Sequence, residues 1–304
     1  MYKDKDPRAA LFAAASAPAR TGLIAKEQLA EFDKTPPQED AHGRKVWYQR
    51  GCNFVLAYAE AQPGAGFARA GQPDEYVVLL PDQPALIEAN GDSREVAGNS
   101  IAFVPPGDSR VTLPEGGRVV RLFTAAAADL VALCPNADAY AAGRSHIPPF
   151  EPWAEPAGGF RIRAYDLDVP PQEGRFGRIF RCTTFMVNFL DLQQGPRDPG
   201  KLSPHHHDDF EQCSLALAGS FTHHLRWPWT VDRSDWREDR HIAVGAPSSL
   251  VIPPPVIHTT EASGAGGNAL VDIFCPPRLD FSMQPGWVLN DADYPEIPQQ
   301  IPQR

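Results

Sequence analysis

Lysine is scarce in this chain, six in 304 residues, and 38 acidic side chains outnumber 28 basic ones for a formal net charge of −10. A surface that grips phosphates needs clustered Lys and Arg. Nucleic acid and anionic membranes are therefore excluded as expected partners. No apolar run approaches the ~18 residues of a spanning helix, which argues against an integral membrane protein. The five cysteines, Cys52, Cys134, Cys182, Cys213 and Cys275, are odd in number, widely spaced and without a CxxC pair. They read as reduced thiols of a cytoplasmic protein rather than a disulfide framework. The Ala-rich run at 9–17 is barely hydrophobic and Asp4 and Asp6 dilute its basic start, so it does not read as a signal peptide.

Proline and glycine are abundant, 32 and 24 residues, yet together they stay below the roughly 25–30% that marks low-complexity disorder. With 42% apolar residues the chain can bury a sizeable core, and its length favours two domains or one large one. Gly22 to Phe32 places Leu23, Ile24, Leu29 and Phe32 on one face of an expected short helix. From Val46 onward short β-branched and aromatic runs alternate with turn residues: 53–59, 76–80, 85–88, 100–104 and 118–123. A second series covers 177–192, 211–217, 220–226, 249–252 and 268–274. Many short strands at such spacing indicate a sandwich or barrel. Between the series lies an expected short helix at 125–134 and a Pro-rich linker.

The two series repeat each other faintly. Phe54 to Gly64 aligns with Phe185 to Gly195, Glu75 with Glu211, and Val104-Pro105-Pro106-Gly107 with Ile252-Pro253-Pro254-Pro255. The expected layout is an N-terminal helical or irregular arm (1–45), a first barrel (46–125), a linker (126–157), a second barrel (158–289) and an extended tail (290–304).

Seven of the nine histidines fall between His205 and His258. In an extended strand His205, His207 and Glu211 share one face while His206 points away. Imidazoles and a carboxylate on a barrel wall suit a divalent transition metal, and His258, after a proline run, is the natural distant ligand. His223 and His224 sit on one strand, so alternation turns one of them inward. Arg181, Asn188 and Arg226 are further candidates for the pocket. His42, His146, His206 and His241 read as surface residues.

The pattern HxH, three residues, Glu and then glycine, followed later by PxGxxH, resembles that of the cupin superfamily, and the chain resembles a two-domain bicupin. The resemblance implies an all-β fold of two double-stranded β-helix (jelly-roll) barrels with short flanking helices. It also implies a metal held by His205, His207, Glu211 and His258. Three departures stand out: Gly219 comes one residue later than usual after the Glu, Pro255 replaces a Gly, and Ala262 replaces an Asn. In the first copy Arg69, Gly71 and Arg110 stand at the histidine positions and only Glu75 remains, so a metal is expected in the second barrel alone.

A centre of this kind can insert oxygen with Fe(II), or act as a Lewis acid with Mn, Zn or Ni. The resemblance to ring-cleaving bicupins puts an Fe(II) dioxygenase of a small phenolic or diketone-like substrate first. A non-redox isomerase, lyase or decarboxylase is the alternative, and a metal-containing ligand-binding or sensing module is the third reading. A homodimer is compatible with the fold.

Overall fold

The computed structural model describes residues 23–143 and 146–298. Strands dominate, and they form two seven-stranded sheets, a four-stranded sheet and a three-stranded sheet. The first large sheet runs Arg163–Asp166, Ser100–Val104, Tyr76–Leu80, Gly117–Thr124, Phe54–Ala61, Arg44–Arg50 and Glu39–Ala41. In the second, the order Gln28–Glu31, Ser248–Ile252, Gln212–Ala218, Gly267–Phe274, Met186–Phe189 and Arg178–Arg181 repeats the first six strands of that plan, and the seventh strand, Gln193–Gln194, pairs with Gly267–Phe274. The smaller sheets close each barrel. Ala65–Gln72, Gly107–Leu113, Ala85–Ala89 and Asp92–Val96 cover the first, and Arg240–Gly245, Ser220–Arg226 and Ile257–Ala262 cover the second.

Each large sheet is buried on both faces, which explains why its strands read as unbroken apolar runs rather than alternating ones. Within Phe54–Ala61, Val55, Ala57 and Ala59 point into the first barrel with Phe67, Tyr76 and Phe123. Phe54, Leu56 and Tyr58 point the other way, into a shared core with Phe185, Val187, Cys213, Leu215 and Ile273 of the second large sheet. The second barrel's interior holds Ala216, Phe221, Leu225, Leu250, Ile252 and Leu270.

Both large sheets exchange an edge strand. Gln28–Glu31 pairs antiparallel with Ser248–Ile252, and Arg163–Asp166 pairs with Ser100–Val104. The helix expected over Gly22 to Phe32 is therefore not formed in the described residues of that segment. Leu29 is 41% exposed while Phe32 stacks on Tyr58 at 4.8 Å, so an edge position in a sheet outweighed a weak helical pattern. The short helix near 125–134 is present as Ala128–Leu133. No helix of the described residues is long and apolar enough to cross a membrane.

Candidate metal centre

His205 and His258 are joined by a reciprocal pair of backbone hydrogen bonds of 3.0 and 2.7 Å, the closely bonded antiparallel arrangement that sets two residues side by side. Two residues on, His207 completes a triad. One ligand nitrogen from each ring lies within 4.8 Å of the others, and all three residues are buried. The Nδ1 atoms of His205 and His258 each lie 2.9 Å from a backbone carbonyl, of Ser203 and Val256. A carbonyl only accepts, so Nδ1 carries the proton and Nε2 keeps its lone pair. With His207, three imidazole nitrogens converge in a buried space, which suits a divalent transition metal.

The surroundings hold the His207 imidazole neutral. The His207 ring stacks on Phe210 at 4.4 Å and meets Phe274 edge-on. Burial, Arg278 and the other two imidazoles push its pKa well below the ordinary value. Arg278 sits 3.5 Å over Phe281 and 4.8 Å over Phe210, with Asp280 on its Nε at 3.0 Å.

Glu211 is not part of this cluster. The chain bends at Asp208 and Asp209 before entering the strand Gln212–Ala218, and the bend breaks the alternation that linked Glu211 to the histidines. Glu211 consequently faces the first barrel. Its Oε2 accepts from the backbone N–H of Cys52 at 2.7 Å and its Oε1 from the Tyr140 hydroxyl at 2.5 Å. Burial pushes its carboxyl up to about 7, against the lowering effect of Tyr140, Cys52 and Arg50. The residue that turns inward is Gln212, whose Oε1 lies 3.0 Å from His207 Nε2 and 3.3 Å from His258 Nε2. Gln212 was not singled out from sequence, although the displaced glycine marked it. Counted from Gln212 instead of Glu211, Gly219 falls at the usual spacing.

His223 is the inward member of its pair. It is buried on the face shared with Phe221 and Leu225, and its Nδ1 lies 2.9 Å from Thr260 Oγ1. Thr260 is two residues beyond His258 on the facing strand, which places His223 about 7 Å along the barrel wall from that ligand. Burial, with His258 and His224, pushes its pKa down to about 4, so it is neutral at pH 7. His224 faces outward to His241 at 2.7 Å and Glu261 at 3.1 Å. His206 is partly exposed beside Asp208. His146, expected at the surface, is buried.

The other candidates separate. Asn188 lies on the interior face, cross-strand from Asp272, and is fully buried with neither amide atom hydrogen-bonded. Arg181 is held away from the triad, by the Tyr294 carbonyl and 5.2 Å over Trp153. Arg226 ends its strand at the surface in a bidentate pair with Asp239. A cleft of about 250 Å³ opens between the two large sheets, lined by Leu79, Arg118, Leu190 and Leu217 among others, and does not include the histidines.

In the first barrel the equivalent space is filled. Tyr76 stands at the position of Gln212, and Arg121 at that of Asp272 by strand register. The Arg121 guanidinium lies 4.4 Å over Phe67. Glu75 faces outward, accepting from Thr183 N–H and Oγ1 at 3.0 Å and from the Tyr294 hydroxyl at 2.8 Å.

No protein-family model and no curated protein sequence matches the chain. Its fold does have solved counterparts. The oxalate decarboxylase of Lactobacillus farciminis, in a formate complex, is 13% identical with a TM-score of 0.55, over 84% of this chain and 87% of that one. A variant of the Bacillus subtilis oxalate decarboxylase is 14% identical with a TM-score of 0.56, over 88% and 84%. AerE from Microcystis aeruginosa is 8% identical with a TM-score of 0.50, over 83% and 98%. The fold is that of a bicupin, an all-β pair of cupin barrels.

Proposed function

We propose that the chain is a metal-dependent bicupin enzyme of the Lewis-acid kind, a decarboxylase or related lyase or isomerase acting on a small oxygenated acid. The observation that carries this reading is the convergence of three buried imidazoles, two of which, His205 and His258, have their Nδ1 protons committed to backbone carbonyls. His205, His207 and His258 would hold the cation through Nε2. Bound there, a divalent ion polarises a substrate carbonyl or carboxylate oxygen.

The chain's own groups supply the rest. Phe221, Leu225 and Ile252 wall the interior and exclude water, which strengthens electrostatic contacts within it. His223, neutral and buried, orients a substrate oxygen from the wall beside His258. Arg278, caged by aromatic rings next to His207, adds positive potential that favours an anionic substrate. The chemistry then belongs to the second barrel (158–289), with the first (46–125) as its structural partner across the linker (126–157) and the tail at 290–304.

The structural likeness to oxalate decarboxylases supports a carboxylic acid over a phenol. The lyase reading therefore takes precedence over the Fe(II) dioxygenase expected from sequence. Elemental analysis of purified protein, followed by assay against oxalate and other small mono- and dicarboxylic acids, tests it. Stoichiometric Mn, Fe, Zn or Ni and CO₂ release without net O₂ consumption are expected. Turnover coupled to O₂ uptake would return the dioxygenase to first place.

A further inference from the structure

We infer that Gln212 is the fourth donor of the centre and that Asp272 is the positioning residue that aims it. This rests on the metal-centre reading above and deepens it to the charge of the substrate.

The amide orientation follows from its partners. Gln212 Nε2 donates to Asp272 Oδ1 at 3.0 Å and contacts Ser214 Oγ at 3.1 Å, while Ser214 Oγ donates to the same Asp272 oxygen at 2.9 Å. A carboxylate oxygen only accepts, so the group facing Asp272 is the NH₂ and the group facing the imidazoles is the carbonyl oxygen. Asp272 lies cross-strand from Ser214 on one side and Asn188 on the other, all on the interior face one pleat deeper than the triad. The acid thus reaches the centre through the amide.

The same geometry explains the residue type. A glutamate at 212 would set a second carboxyl about 3 Å from Asp272 in a buried space, where two carboxylates cannot both ionise. An amide avoids the conflict by presenting a donor to the acid and an acceptor to the cation. The donor set becomes three imidazoles and one amide oxygen, all neutral, so a bound dication keeps its full charge. Such a centre selects substrates that bring negative oxygens of their own, carboxylates or enolates, over neutral chelators.

Co²⁺ titration of chelator-stripped protein, with affinity read by competition against a chromophoric chelator and folding read by Tm, tests the arrangement. Gln212→Ala is expected to weaken Co²⁺ tenfold or more while retaining one site per chain. Asp272→Ala is expected to weaken it similarly, Asp272→Asn, which keeps an acceptor, to stay within about threefold of the parent, and the double alanine variant to match Gln212→Ala alone. Gln212→Glu should lower the Tm of the metal-free protein, and adding Asp272→Asn should restore it. With Co²⁺ bound, Gln212→Glu/Asp272→Asn should bind oxalate at least tenfold more weakly than the parent, because one negative charge has moved onto the metal.

Additive losses in the double alanine variant, or full Co²⁺ affinity in Gln212→Ala, would overturn the inference. The triad reading has its own control. If His205→Ala, His207→Ala and His258→Ala still bind stoichiometric Co²⁺, the centre itself is misassigned. If they lose it while Gln212→Ala does not, only the fourth donor fails.

Discussion

At the residue scale, HxHxxxE separates into two jobs that share one short stretch of chain. The histidines face the barrel interior, and Glu211 reaches out of it to the backbone of Cys52. Alanine at His205, His207 or His258 is expected to abolish stoichiometric metal, whereas His206→Ala, whose ring is partly exposed beside Asp208, should leave it intact; metal content per chain checks both. Glu211→Gln should also leave the metal in place.

Glu211 carries a pH signature as well. Its pKa rises on folding from the ordinary 4.5 to about 7, so the proton it holds stabilises the fold fully below about 4.5 and that contribution is lost as pH rises through 7. In Glu211→Gln, with the Tyr140 hydroxyl free to reverse and accept, this loss disappears. Denaturation of metal-free protein from pH 4.5 to 8 should show the Gln variant gaining on the parent as pH rises. A constant difference would refute the assignment.

Alternation proved a sound guide within regular strands and a poor one across a bend. It correctly required one of His223 and His224 to face inward, and the cross-strand partner Thr260 shows which. It failed at Glu211 because Asp208 and Asp209 interrupt the strand, and only the spacing to Gly219 preserved the true register.

At the scale of elements, Gly219 is where one sheet hands over to the other. It adopts φ +82°, and a Cβ there would come within 2.2 Å of Asn268 Oδ1 and 2.8 Å of Asn268 Cα. Asn268 in turn accepts from Ser220 N–H at 3.0 Å, and its Nδ2 lies within 3.2 Å of the carbonyls of Gln193, Gly195, Gly264 and Gly266. One buried amide thus ties three loops together. Each buried polar group left unpaired costs about 1–3 kcal/mol, so Asn268→Ala is expected to destabilise by about 2 kcal/mol or more in chemical denaturation. Gly219→Ala should be similarly harmful, because both the positive φ and the close approach exclude a side chain. The glycine was readable from sequence as a turn, but its partner, 49 positions along the chain, was not.

The whole molecule is held by a pseudo-two-fold pair of glutamates. Glu211 of the second unit accepts from Cys52 N–H and Tyr140, and Glu75 of the first accepts from Thr183 N–H and Tyr294. The repeat that aligns Phe54 with Phe185 also aligns Cys52 with Thr183, so the two clasps are counterparts. Burial raises the Glu75 carboxyl above its ordinary range too. With a shared apolar core between the large sheets and an edge strand exchanged in each direction, the barrels should unfold in one transition. Calorimetry of Glu75→Ala is expected to show a lower single Tm, with at least one buried donor unpaired at about 1–3 kcal/mol. Two resolved transitions would show that the clasps and exchanged strands do not couple the barrels.

The amino-acid sequence by itself determined that strands would dominate, that the β unit occurs twice, and that the histidines concentrate in the second copy. Those are properties of local pattern: turn residues between short apolar runs, and residue types at fixed offsets. Only the tertiary structure decided which side chains meet. Glu211 and Gln212 are neighbours in the chain, and the strand pleat sends one to the first barrel and the other to the imidazoles. Asp272 reaches the centre from a separate strand, 60 residues away, and Gln28–Glu31 abandons a weak helical pattern because an open sheet edge offers it backbone partners. Such choices depend on long-range hydrogen bonds and on the closure of the barrels, and no local pattern encodes them.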